Sequence, residues 1–284
     1  MAGPPRPRAL SIAGSDSGGG AGIQADLKTF GALGVYGMTA ITAVTVQNTM
    51  GVSGYEALSP GTVGDQIRAV ATDIGVDAAK TGMLASAEIV EAVADAVTET
   101  RIPNVVVDPV FVSKHGHALL AQDAVSALRT RILPLATLVT PNLPEAAGLA
   151  GFPVDSRDRM REAAEAILAR GARAVLVKGG HLEDAERADD LFADRDGLRW
   201  IEGERIATPH THGTGCVLSS AIAAHLARGS QLVEAVELGK AFVTQAIRHS
   251  LAIGGGIGPV DPLFSTAAVW DAISSTARAR AGGR

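Results

Sequence analysis

Apolar positions along the chain alternate between short continuous runs and stretches with helical spacing. Residues 9–13 form a short apolar run, followed by a glycine-rich segment over 14–22. Over 23–33, Leu27 and Phe30 fall on one face, which predicts a helix. Residues 38–46 alternate apolar side chains with Thr and Ala and read as a strand, with Gln47 and Asn48 at its carboxyl end. Next come a helix over 60–74, a strand over 77–80 and an alanine-rich helix over 85–97. The valines of 104–110 read as a strand buried on both faces. A helix over 121–132, a strand over 137–140, a short helix after Glu145, an amphipathic helix over 157–170 and a strand over 172–178 continue the pattern. Two short strands near 190–193 and 198–201 lead to 208–227, where the character changes at Gly213. Beyond it Val217, Leu218, Ala221, Ile222 and His225 share a helical face. A long helix over 232–251 and a last helix after Asp261 complete the reading.

Strands alternating with helices predict an α/β fold, with a central, mostly parallel sheet covered by helices on both faces. No linker, repeat or low-complexity run divides the chain, so one domain is expected over 9–268. It would be flanked by a proline-rich, disordered arm over 1–8 and by a helix end and frayed tail over 269–284.

Composition narrows the function classes. Apolar residues at 46% and charged residues at 19% of 284 exclude a disordered chain. A net charge of −5 and 4% aromatics leave neither a basic footprint nor a stacking platform for nucleic acid. The single cysteine excludes an internal disulfide and a structural zinc site, and fits a reducing cytoplasm. Residues 1–8 lack the apolar run of a signal peptide, and no run of apolar residues is long enough for a membrane helix.

That cysteine, Cys216, lies in the first turn of the helix expected near Gly213-Thr214-Gly215, with Thr211 or Thr214 as the candidate cap. Unpaired N–H groups and the positive end of the helix dipole favour an anion there, and the glycines permit close approach. The same dipole is expected to lower the thiol pKa and favour the thiolate. An anion cradle beside a proton acceptor suits phosphoryl transfer to an alcohol; the alternative is a glycine-rich helix entry with an inert buried cysteine.

Other candidates carry two readings each. The 14–22 loop has neither dinucleotide-binding nor P-loop spacing. Flanked by Asp16 and Asp26, it either wraps a small ligand or is a tight turn with an N-capping Asp. Asp108, ending an apolar run, serves metal and phosphate chemistry or a cap. Asn142 and Glu145, three apart, form a capping arrangement or a metal–phosphate site. Lys178 before two glycines meets a phosphate or is a surface lysine. His115, His117 and the acidic stretch over 182–190 read as solvated loops.

With these pieces in place, the chain resembles the hydroxymethylpyrimidine/phosphomethylpyrimidine kinases within the ribokinase-like superfamily. The carriers are AGSDSGGGAGIQAD over 13–26, VQNT over 46–49, KTGML over 80–84, TPNLPEA over 140–146, VKGGH over 177–181 and THGTGC over 211–216. The resemblance implies two successive ATP-dependent phosphorylations, first of 4-amino-5-hydroxymethyl-2-methylpyrimidine and then of its monophosphate. It implies Cys216 as catalytic base, with Gly213, Thr214, Gly215 and the Cys216 amide as anion hole. Gly14, Asp26, Gln47, Met83 and Val110 would line the pyrimidine pocket. Asn142 and Glu145 would handle Mg²⁺ and phosphate, assisted by Asp108, and Lys178, Thr211 and Lys240 would lie on the nucleotide side. A cytoplasmic homodimer using ATP and Mg²⁺ is the expectation. A vitamin B6 kinase on the same scaffold, a non-catalytic pyrimidine- or nucleotide-binding protein and, more remotely, a nicotinamide-dependent oxidoreductase are the rival readings. Two positions depart from the pattern: His210 stands where relatives often have Asp or Asn, and Gln47 is Glu in some of them.

Overall fold

Strand side chains alternate between two apolar cores, and this sets the layering. In β1 (Arg8–Ser15), Leu10 and Ile12 join one core and Ala9 the other. The computed structural model describes residues 6–111, 122–180, 182 and 186–266. The loop with His115 and His117, the final helix and tail, the first five residues of the arm, His181 and residues 183–185 of the acidic stretch lie outside these residues.

In chain order, β1 is followed by α1 (Gly22–Ala32), β2 (Tyr36–Asn48), β3 (Gly51–Ala57), α2 (Pro60–Asp73), β4 (Ala78–Thr81) and α3 (Ala87–Thr100). Then come β5 (Val105–Val107), α4 (Gln122–Ala127), β6 (Leu138–Val139), α5 (Leu143–Ala150), α6 (Arg157–Leu168) and β7 (Ala174–Val177). The antiparallel β8 (Asp190–Asp194) and β9 (Gly197–Ile201) lead to α7 (Thr214–Ala227) and α8 (Leu232–Arg248). Val105 and Val107 of β5 turn to the first core and Val106 to the second; β7 divides Val175 and Val177 from Ala174 and Leu176 in the same way. A period of two with both faces covered explains why these strands read as unbroken apolar runs. Helices α2 to α6 cover one face and α1, α7 and α8 the other.

The strand order among the described residues is β3-β2-β1-β4-β5-β6-β7-β8-β9, parallel from β2 to β7 and antiparallel at both edges. The chain moves from β1 to β2 on one side and returns to β4 on the other. The order therefore reverses at β1, and the crevice beyond its carboxyl end is where an open α/β sheet binds ligands.

Three features differ from the sequence pattern. β3 was not expected, because Gly51 and Gly54 weaken its strand signal and it is a largely exposed edge strand. Helix α7 has no single apolar face: it is buried from Val217 through Ala224, and His225 at its end is half-buried. The stretch expected as one helix over 121–132 leaves α-helical geometry after Ala127 for a wider turn over Leu128–Ile132 and a tighter one over Leu133–Leu135, where Pro134 removes a backbone donor.

Candidate active site

Two glycine-rich segments meet at the β1 end of the crevice. Gly213 precedes α7 at φ +82°, and the place a Cβ would occupy is taken by the Gly20 carbonyl oxygen. Gly22, at φ +56°, has the Gly14 carbonyl in the same relation. Side chains larger than hydrogen would push the segments apart. A buried pair clips them together: His212 Nε2 lies 2.9 Å from Asp16 Oδ2. Asp16 also accepts the N–H groups of Gly18 (2.8 Å), Gly20 (3.0 Å) and Ala21 (2.8 Å). Burial works against its charge, but His212 and the N–H groups of Gly18 and Ala21 outweigh it and hold the carboxyl below its ordinary value. The Gln47 amide reaches the same His212 nitrogen at 3.4 Å.

Neither candidate threonine caps α7. The cap position is Gly213 without a side-chain bond, while the Thr214 hydroxyl donates to the Thr211 carbonyl at 2.8 Å. No side chain closes the helix start; the Thr214 N–H makes a long bond to the Thr211 carbonyl at 3.4 Å, and no side-chain oxygen caps the turn.

Cys216 is half-buried beside these N–H groups, and its sulfur accepts the Gly22 N–H. The expected thiolate does not follow. Burial pushes the thiol up to about 11; Lys80 pulls down, while Asp26 and Asp108 push up. The helix dipole is outweighed by desolvation and two nearby carboxylates.

Asp26, expected at the pocket wall, is fully buried, and its carboxylate is engaged on all sides. Ser11 Oγ donates to it at 2.5 Å, Ser220 Oγ at 2.6 Å, and Lys80 Nζ lies 3.0 and 2.9 Å from its two oxygens. Lys80 is likewise without exposed surface. Burial alone would lower its pKa, and the Asp26 charge reverses this and raises it.

A second cluster stands at the carboxyl ends of β5, β6 and β7. Lys178 Nζ is 3.0 Å from Asp108 and 3.8 Å from Glu145. Glu145 and Asn142 form a reciprocal capping box at the start of α5, with bonds of 2.8 and 2.9 Å. Burial raises the Glu145 carboxyl to about 7, with the Asp108 charge adding to it against the pull of Lys178. Lys178 is held protonated: burial opposes its charge, and Asp108 and Glu145 reverse that. Gly215 links the clusters, since a Cβ there would lie 3.4 Å from both Asp108 Oδ2 and Lys178 Nζ. Lys178, assigned by resemblance to the nucleotide side, thus stands between the two carboxylates and against the α7 turn.

The remaining candidates are placed as follows. Gly14 faces Met83, whose Sδ is 3.3 Å from the missing Cβ, and Val110 is half-buried two residues beyond Asp108. Thr211 is half-buried at the α7 entry. Lys240, on α8, binds Asp190 (2.6 Å) and the Ala188 carbonyl (2.7 Å). The acidic stretch is not uniformly solvated: Asp190 is buried and accepts the Gly179 N–H, and Asp189 pairs with Arg157 and Arg187. His210 holds the Gly258 N–H at 3.0 Å, which gives the departing residue a backbone role. Sequence reasoning gave no individual role to His212, Lys80 or Ser220. Only the positions of His212 and Lys80 inside glycine-rich motifs hinted at one.

The family described as phosphomethylpyrimidine kinase matches residues 16–261. The hydroxymethylpyrimidine/phosphomethylpyrimidine kinase of Streptomyces coelicolor is 54% identical over 255 residues, covering 90% of this chain and 94% of that protein. Among solved structures, an ADP complex of Bacillus subtilis pyridoxal kinase superposes with a TM-score of 0.86 at 42% identity, covering 91% of this chain and 98% of the other. Staphylococcus aureus pyridoxal kinase in complex with AMP-PCP and pyridoxal gives 0.84 at 36% identity, covering 91% and 94%. A family match over residues 16–261, together with identity of this extent, establishes that the chain belongs to the phosphomethylpyrimidine kinase family.

Proposed function

We propose that the protein is an ATP-dependent kinase of thiamine biosynthesis. It phosphorylates the hydroxymethyl group of 4-amino-5-hydroxymethyl-2-methylpyrimidine and then converts the monophosphate to the diphosphate. The observation that carries this reading is the uncapped start of α7, with Cys216 on one side and the Asp108–Lys178–Glu145 cluster on the other.

In the first step the substrate hydroxyl gives its proton to the Cys216 sulfur in its thiolate form. The alcohol oxygen bonds to the γ-phosphorus, the bond from phosphorus to the β–γ bridging oxygen breaks, and ADP leaves. In the second step a phosphate oxygen of the monophosphate is the nucleophile. Gly213, Thr214, Gly215 and the Cys216 amide neutralise the transferring group, where fixed dipoles need no reorganisation. Gly14, Met83, Val110 and Gln47 form the pyrimidine wall, and the Gln47 amide can both donate and accept toward an aminopyrimidine edge. Asp26 supports that wall from behind, while Thr211 and Lys240 lie on the nucleotide side.

Mg²⁺ fits the donor set. Among the described residues no group of three or more His, Cys, Asp or Glu converges on one point. Mg²⁺ characteristically takes one or two carboxylates and completes its shell with water and phosphate. Glu145 and Asp108 would hold it, and the ion would neutralise phosphate charge. Both carboxylates already share Lys178, which would remain as a second cation for phosphate.

The protein is proposed to work in the cytoplasm as a homodimer. Support for the dimer comes from Val44, Val46, Met50 and Tyr55, apolar side chains exposed along and between β2 and β3. No described helix is long and apolar enough to cross a membrane.

Incubation with ATP, Mg²⁺ and the hydroxymethylpyrimidine is expected to give ADP and the phosphorylated pyrimidine. The likeness to two pyridoxal kinases favours a second reading, vitamin B6 phosphorylation. Running pyridoxal in parallel decides between them, and faster turnover of pyridoxal would reverse the assignment. Tight pyrimidine binding without ATP turnover would reduce the protein to a binding module.

A further inference from the structure

The proposed chemistry leaves one buried ion pair unused, Lys80 with Asp26. Helices α1 and α7 lie side by side in matched register. On α1, Gly22 and Asp26 are one turn apart; on α7, Cys216 and Ser220 are one turn apart. The Gly22 N–H reaches the Cys216 sulfur, and the Ser220 hydroxyl reaches Asp26 at 2.6 Å. Cys216 and the contact between Ser220 and the Asp26 carboxylate therefore follow one another by a single turn along both helices. Lys80 enters this junction from β4, with its ammonium 2.9 Å from Asp26 and 3.0 Å from the place a Cβ would take on Gly82. Ser11 of β1 holds the carboxylate from the opposite strand at 2.5 Å. Neither partner has exposed surface. A pair so buried gives little stability over apolar residues of the same size, because both ions lose their hydration.

We infer that Lys80 is a positioning residue for proton transfer: its ammonium, held in place by Asp26, stabilises the Cys216 thiolate that accepts the substrate hydroxyl proton. Lys80 keeps its own protons throughout. The charged groups around the sulfur are Lys80 from β4, Asp26 from α1, Asp108 from the segment after β5 and Lys178 from the end of β7, which stands against neighbouring Gly215 and is paired with Asp108; α7 brings no charged side chain to this end. Lys80 acts on the sulfur more strongly than Asp26 does, and in the opposite direction. The inference rests on Cys216 as the proton acceptor of the proposed reaction.

Because the chain has one cysteine, iodoacetamide alkylation followed by intact mass reads Cys216 alone. One unit of pKa changes the thiolate fraction about tenfold below the midpoint. At pH 8, Lys80→Met is expected to slow alkylation by about tenfold, and Asp26→Asn to accelerate it by a few-fold to tenfold. Opposite signs are the mark of an electrostatic role, since loosened packing would move both rates the same way. Two changes of the same sign, or no change in either, would overturn the inference. Should Lys80→Met fail to fold, Asp26→Asn is compared with the double variant. Acceleration that disappears in the double variant supports the role of Lys80, and any other result rejects it. Kinase turnover by the unaltered protein is measured alongside. Its absence would remove the proposed function while leaving the alkylation contrast to judge Lys80.

Discussion

At the scale of single residues, Cys216 shows how competing terms settle a charge state. The first turn of a helix favours a thiolate, yet burial and the carboxylates of Asp26 and Asp108 raise the thiol to about 11. The sign of the pH dependence follows. Between pH 7 and pH 9 the thiolate is a minor species whose population rises about tenfold per pH unit. The kcat/KM for the alcohol substrate is therefore expected to climb across that interval, and a stopped-assay pH profile checks it. Cys216→Ala is expected to lower kcat by roughly 10²–10⁴-fold, the usual cost of losing a general base. Nucleotide affinity, measured by calorimetry, should hold, because the backbone cradle remains.

At the scale of elements, the α7 entry depends on the absence of a side chain. Gly213 combines a positive φ with the Gly20 carbonyl in the space of a Cβ. Gly213→Ala is expected to destabilise the fold by at least about 1 kcal/mol and to abolish turnover, since the entry and the 14–22 loop must separate. Thermal melting and the kinase assay read the two effects. The same element shows what a sequence can tell. The switch from polar to periodic residues at Gly213 located α7 correctly, and valine runs located the buried strands, because both signals are local. The thiol's charge state, the partners of Asp26 and the role of His212 were not legible. Each is set by residues far apart in the chain: Lys80 lies 54 positions from Asp26, and His212 lies 196 from Asp16. β3 escaped because an edge strand with two glycines lacks the apolar alternation that marks a half-buried one.

At the scale of the whole molecule, the parallel strands deliver buried charges to one rim of the sheet, at some cost in stability. Glu145 illustrates the sign. Burial raises its carboxyl from 4.5 to about 7 in the folded protein, so the native state binds that proton more tightly than the unfolded chain. This contribution to stability is complete below pH 4.5 and is lost as pH rises through 7. In chelator, with no divalent ion, Glu145→Gln is expected to melt above the unaltered protein at pH 8. At pH 4 the two should melt alike, and the variant's kinase activity should fall at every pH. A lower melting temperature at pH 8 would mean that the charged carboxylate stabilises the fold after all.

The contact between His212 and Asp16 also has a consequence for synthesis. The ring that secures the first loop belongs to a segment made 196 residues later. A nascent chain can lay down β1, β2 and most of the sheet, but the crevice has no second wall until α7 has left the ribosome. Prematurely terminated products lacking that helix should be catalytically silent however well their remaining strands assemble.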